Sequence, residues 1–157
     1  MKLSLLCIGK LSSSWLQEGA RDYSQRVSRY LPLKIDELKE YKLGKKGDSK
    51  KIIQQEGEQL LARVPQGAYT VALDEKGKLF TSEDLAGFFN QHMLNGTQEL
   101  TFIIGGPYGL SSTIKDMAIL NMSLTPMTLT HQMARLILLE QIYRGMTILR
   151  NEPYHNR

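Results

Sequence analysis

The chain has 157 residues, 41% hydrophobic and 23% charged, which fits one soluble globular domain burying roughly 70% of its unfolded surface. Lys+Arg 20 against Asp+Glu 16 gives a net charge of +4, too mild an excess to imply a nucleic-acid partner by itself. The single cysteine, Cys7, excludes an internal disulfide, and no apolar run approaches the roughly 20 residues that span a bilayer.

KLSLLCI (2–8) is an apolar run of strand length that ends at Gly9. It is too short and lacks the small-residue site of a signal peptide, so it reads as a first strand of a cytoplasmic protein. SSSWLQEGARDYSQRVSRYL follows. Ser14 with Gln17 offers a capping box, and Trp15, Leu16, Tyr23, Val27, Tyr30 and Leu31 recur at near-helical spacing until Pro32 stops them. LKIDELK (33–39) alternates as a half-exposed strand does. KEYKLGKKGDSKK (39–51) sets six lysines against Glu40 and Asp48. It is either a solvated loop or a source of phosphate contacts, with Lys45 and Lys46 as candidates for the latter.

Asp48 or Ser49 then caps a helix with Ile52, Ile53, Leu60, Leu61 and Val64 on one face. YTVALD (69–74) is a strand and EKGK turns the chain. Thr81 or Ser82 caps the next helix, which bears Leu85, Phe88, Phe89 and Met93, with His92 on its polar face as a solvated residue. ELTFII (99–104) is a strand that runs into GGPYGL. A short helix begins near Ser111, NMSLT (121–125) is a last brief strand before Pro126, and Thr130 caps a long final helix. That helix is apolar over most of its circumference, which calls for burial in the core or by a second copy of the chain. Strands alternating with helices over residues 1–157 predict one α/β domain with a mainly parallel sheet flanked by helices.

Ligands of open parallel sheets sit beyond the carboxyl ends of the strands. Three such ends carry permissive or polar residues: Leu73 and Asp74, Gly105 and Gly106, and Thr125 and Pro126. The familiar phosphate cradles do not fit, because neither GxxxxGK[ST] nor GxGxxG after the first strand is present. G-x-S-x-G is missing, and one cysteine with the scattered His92, His131 and His155 offers no metal-ligand spacing, so no metal is expected. From the residues alone, the reading stops at an α/β domain with a ligand loop at Gly105.

The combination of QEGEQLL, GGPYGL, MSLTPMTLTHQMARLILLEQIYRG and a terminal EPYHNR resembles the ribosomal large-subunit pseudouridine N3-methyltransferase family. That family is a minimal single-domain branch of the SPOUT methyltransferases, and the resemblance covers essentially the whole chain. It implies a C-terminal trefoil knot, S-adenosylmethionine as methyl donor, a homodimer, and a pseudouridine of large-subunit (23S) rRNA, within a ribosomal particle, as substrate. Carried over by motif, the cofactor residues are Leu73, Gly105, Leu124, Thr125, Pro126, Met127, Thr128 and Leu129, while Pro107 and Tyr108 receive no role. Loss of the N3 proton calls for an acceptor, for which His131 and His155 are both candidates, and Tyr154 is a candidate for stacking on a base. Arg135, Arg144, Arg150 and Arg157 are candidates for phosphates. The alternative reading is a non-catalytic RNA-binding α/β dimer of the same fold.

Overall fold

The computed structural model describes residues 1–42 and 48–156; Lys45, Lys46 and Arg157 lie outside them. The elements alternate along the chain as β1 (Lys2–Ile8), α1 (Ser14–Val27), β2 (Leu33–Leu38), α2 (Ser49–Leu61), β3 (Tyr69–Leu79), α3 (Ser82–Leu94), β4 (Glu99–Ile104), α4 (Ser112–Met117), β5 (Leu120–Ser123) and α5 (His131–Leu149). The five strands form one sheet in the order β2-β1-β4-β3-β5. All pairings between these strands are parallel, with Leu3 opposite Leu33 on one side and Leu100 on the other.

The apolar runs exist because both sheet faces are covered. Leu3, Leu5 and Cys7 of β1, with Val71, Leu100, Phe102 and Ile104, enter a core shared with α1, α3 and α5. Leu6, Ile8, Ala72 and Ile103 point the other way, against Leu60 of α2 and Ile114 of α4. Period-2 alternation thus serves two cores at once. Buried among them, the Cys7 thiol is pushed up to about 12 by desolvation, which makes it a packing residue.

Four helix starts match their sequence signals, α4 among them with Ser111 accepting from the Ile114 N–H at 3.3 Å. Asp48 accepts from the Lys50 N–H at 2.9 Å, Thr81 and Asp84 close a reciprocal capping box, and Thr130 accepts from Met133 at 3.2 Å. The first helix differs. Its cap is Ser13, which makes no side-chain bond, and Gln17 donates instead to the Leu11 carbonyl at 2.8 Å. Trp15 is 57% exposed, because Leu16, Ala20 and Val27 form the buried face and Trp15 lies outside it.

EKGK does not turn the chain. β3 continues through it to Leu79 and bulges, so that Leu73 and Lys78 both register with Met122. Gly77 permits this, since a Cβ there would lie 2.6 Å from the Met122 carbonyl carbon. His92 is also corrected. Its ring packs 4.2 Å from Tyr69 and 4.4 Å from Phe88, with Nδ1 2.9 Å from Thr97 Oγ1. Burial holds its pKa below the ordinary range.

Candidate active site

β4 delivers the chain from a fully buried strand into Gly105 at the carboxyl edge of the sheet. The turn that follows is tied by the Gly109 N–H donating to the Gly106 carbonyl at 3.0 Å, with Gly109 at φ 82°. Gly105 lies so close to the returning chain that a Cβ on it would sit 2.7 Å from both C and O of Gly109. The segment after β5 is shaped by its own hydroxyls. Ser123 Oγ donates to the Thr125 carbonyl at 2.9 Å, and Thr125 Oγ1 accepts from the Met127 N–H at 3.2 Å.

These two loops, β3 at its bulge and the first turn of α5 enclose a cavity of about 450 Å³. Leu73, Gly105, Leu124, Thr125, Met127, Thr128 and Leu129 all line it; Pro126 does not. The walls thus join leucines and bare loop backbone to a few polar groups, among them Asp74, Lys115 and His131, the mixture of a small-molecule site. The sequence reading missed several lining residues. Pro107 and Tyr108 belong to the wall although they received no role, and Asp74 sits there in an ion pair with Lys115 at 3.2 Å. The signal for Asp74 was its place at a strand's carboxyl end. Lys115 had none, because its partner is distant in sequence.

His131 opens α5 at the cavity edge. Burial pushes its pKa below the usual histidine range, Arg135 adds to that, and Glu40 opposes it. The ring is thus held neutral near pH 7, as a proton acceptor must be. The unfolded ring protonates near about 6.5 while the folded ring resists. Stability from this group is therefore fully present above that pH and is lost as pH falls toward the folded value. In an NMR titration, the His131 ring is expected to show a midpoint below 6.5; a midpoint at or above it would remove the neutral-base role.

Tyr154 and His155 are not in this cavity. The tail folds back on α5. The Tyr154 ring packs 4.7 Å from Tyr143, and its hydroxyl lies 3.1 Å from both Glu140 and the Tyr23 hydroxyl. His155 Nε2 lies 3.3 Å from Glu83. Arg144 is engaged with Glu140 and stands 4.7 Å over the Tyr154 ring. Burial, reinforced by the two hydroxyl partners, raises the Tyr154 phenol well above its ordinary value. Arg135 as a phosphate contact is corrected outright. It is 1% exposed, pairing with Glu37 at 2.6 Å and donating to the Gly9 carbonyl at 2.7 Å. Helical spacing placed an arginine there, but only the fold shows that it faces the sheet.

Among the described residues, no helix is long and apolar enough to cross a membrane, and no group of three His, Cys, Asp or Glu side chains could hold a metal ion.

Residues 1–155 match the family model described as "Predicted SPOUT methyltransferase". The chain is 56% identical over 157 residues to the "Ribosomal RNA large subunit methyltransferase H" of Syntrophotalea carbinolica, covering 100% of both. It is 44% identical to the protein of that name from Geotalea uraniireducens, covering 99% of this chain and 100% of the relative. The one from Porphyromonas gingivalis strain ATCC 33277 is 39% identical, with 99% of each covered. Among solved structures, a probable methylase family protein from Haemophilus influenzae superposes with TM-score 0.54 at 11% identity, over 99% of this chain and 70% of that one, which speaks for the fold alone. A parallel α/β sheet with a nucleoside-sized cavity at its carboxyl edge agrees with the family match, and on these grounds the chain belongs to the SPOUT methyltransferase family.

Proposed function

We propose that this protein transfers a methyl group from S-adenosylmethionine to N3 of a pseudouridine in large-subunit rRNA, and that it works as a homodimer. The observation that carries the reading is the cavity of about 450 Å³ walled by the Gly105 loop and the segment after β5. Curated relatives that match over their full length carry the name of a large-subunit rRNA methyltransferase. The trefoil knot and the single-domain organisation belong to the same reading.

The residues present fit the methyl donor. Side-chain-free Gly105 lets the loop backbone pack so closely that a Cβ would meet Gly109 and Leu110, Leu73, Leu124 and Leu129 give apolar walls, and Asp74 offers a carboxylate beside them. When bound, S-adenosylmethionine supplies an already activated methyl group, so the protein's tasks are orientation, exclusion of water and proton removal. Leu124–Leu129 and the Gly105 loop hold the donor and keep water from it. The His131 imidazole, neutral and at the cavity edge, accepts the N3 proton as the nitrogen attacks. Tyr154 and His155, which lie away from the cavity of their own protomer, act at the partner's cavity. Arg144, Arg157, Lys45 and Lys46 contribute positive charge toward RNA.

Incubation with methyl-labelled S-adenosylmethionine and large-subunit particles, followed by mapping of the labelled nucleotide, tests the reaction. Label at N3 of one pseudouridine is expected. Tight RNA binding without donor binding would return the protein to a non-catalytic RNA-binding dimer. Light scattering should give about twice 17.8 kDa, and a monomer at micromolar concentration would remove the shared-site arrangement.

A further inference from the structure

The QEGEQLL segment lies in α2, on the far side of the Gly105 loop from the cavity, and the chemistry above does not use it. Glu56 of that segment is a charged residue with only 1% exposure. Such a side chain is rare in a core unless something holds it. One oxygen, Oε1, accepts from the Tyr41 N–H at 3.2 Å. The other, Oε2, is buried and makes no hydrogen bond among the described residues. It is aimed at Gly106, where a Cβ would lie 2.6 Å from Oε2 and 3.1 Å from Oε1. The next residue repeats the pattern. A Cβ on Gly57 would lie 2.5 Å from Oγ of Ser111, whose hydroxyl caps α4. Two consecutive residues of α2 therefore press against both ends of the loop whose inner side walls the cavity.

We propose that Glu56 is a positioning residue for the donor cavity: its carboxyl backs the loop at 105–109 while its Oε1 holds the Tyr41 N–H. One buried side chain thus sets the loop at Gly106 relative to the backbone at Tyr41. Gly106 is then glycine for a different reason from Gly105. Its backbone is not in the left-handed region, and what forbids a side chain is the carboxyl behind it. Burial pushes the Glu56 carboxyl up, and the Tyr41 N–H draws it down, the balance of a buried carboxyl held by one backbone donor.

The inference rests on the cavity being the S-adenosylmethionine site, and a mutant cycle separates the two. Glu56→Ala is expected to weaken S-adenosylmethionine binding in calorimetry about tenfold, the scale of leaving a buried N–H without its acceptor. Glu56→Gln, which keeps Oε1, should stay within about threefold of wild type. Gly106→Ala should also lose about tenfold, because its methyl meets the carboxyl. The combined Glu56→Ala, Gly106→Ala protein should lose no more than either alone, because the methyl enters the vacated space. Additive losses, or a folded Glu56→Ala with wild-type affinity and only a lower Tm, would overturn the proposal. If Glu56→Ala does not fold, Glu56→Asp takes its place in the cycle. Amide exchange at Gly109, whose N–H is bonded to Gly106, reads the brace without any ligand. Exchange should accelerate in Glu56→Ala and Gly106→Ala, and unchanged protection would again overturn it. Failure of the wild-type protein to bind S-adenosylmethionine, with the exchange result intact, would sink the cavity reading and leave the brace standing.

Discussion

Gly105→Val is expected to lower S-adenosylmethionine affinity at least about a hundredfold while leaving a folded protein. The atoms that a Cβ would strike are the carbonyl carbon and oxygen of Gly109 at 2.7 Å and the Leu110 nitrogen at 3.0 Å. They are backbone atoms, so no rotamer change relieves the contact, and a valine adds two further methyls in the same place. The loop must open, and it is the wall of the cavity. The φ of Gly105 is not in the left-handed region, so the penalty is one of space. Gly109 is the informative contrast. It sits at φ 82° with nothing within 4 Å of a built Cβ, so Gly109→Ala meets only backbone strain of about 1–2 kcal/mol and should reduce affinity far less. Calorimetry on both variants, with circular dichroism to verify folding, separates the two cases. Wild-type affinity in a folded Gly105→Val protein would reduce the loop to a turn.

The strands and most caps were legible because they depend on neighbours in sequence. An apolar run such as LTFII, short, β-branched and ended by glycines, reads as a strand covered on both faces, and the Thr130 hydroxyl meets an N–H three residues on. The close approach at the glycine loop was legible for a related reason, since glycine at a strand's carboxyl edge marks a place where backbone meets backbone. What failed depended on distant partners. Arg135 and Glu37 are 98 positions apart, and nothing in the helix period separates an arginine facing solvent from one facing the sheet. His92 looked solvated because the aromatic ring that covers it best, Tyr69, comes from a different element. The EKGK stretch has the composition of a turn, yet the backbone of β5 beside Gly77 lets the strand bulge and continue. The tail's contacts within its own protomer were not legible because Tyr23 and Glu83, which receive it, are 131 and 72 positions away. Glu56 carries no chemical signal of its own in the sequence, and only its burial against Gly106 gives it a physical role.

Arg135→Ala should cost about 3 kcal/mol of stability, the lower end for breaking a buried ion pair, because Glu37 remains half-exposed and can be rehydrated. The remainder comes from what the guanidinium leaves behind. The carbonyls of Ile8 and Gly9, at 3.4 and 2.7 Å, lose their donor at the end of β1, and the vacated volume between α5 and the sheet is not refilled. For a domain of this size the loss corresponds to a Tm lower by about 6–12 °C. Lysine should recover only part of it, since a single ammonium cannot reproduce a fork that serves a carboxylate and two carbonyls in one plane. The effect should reach the reaction as well. Arg135 lies one helical turn beyond His131, so the pair with Glu37 fixes the start of α5 and with it the aim of the imidazole at the cavity. At a temperature where Arg135→Ala is still folded, turnover should fall while the salt dependence of RNA binding keeps its slope, because no phosphate contact has been removed. A variant that kept its Tm within about 2 °C and lost about one unit of salt slope would identify Arg135 as an RNA contact after all.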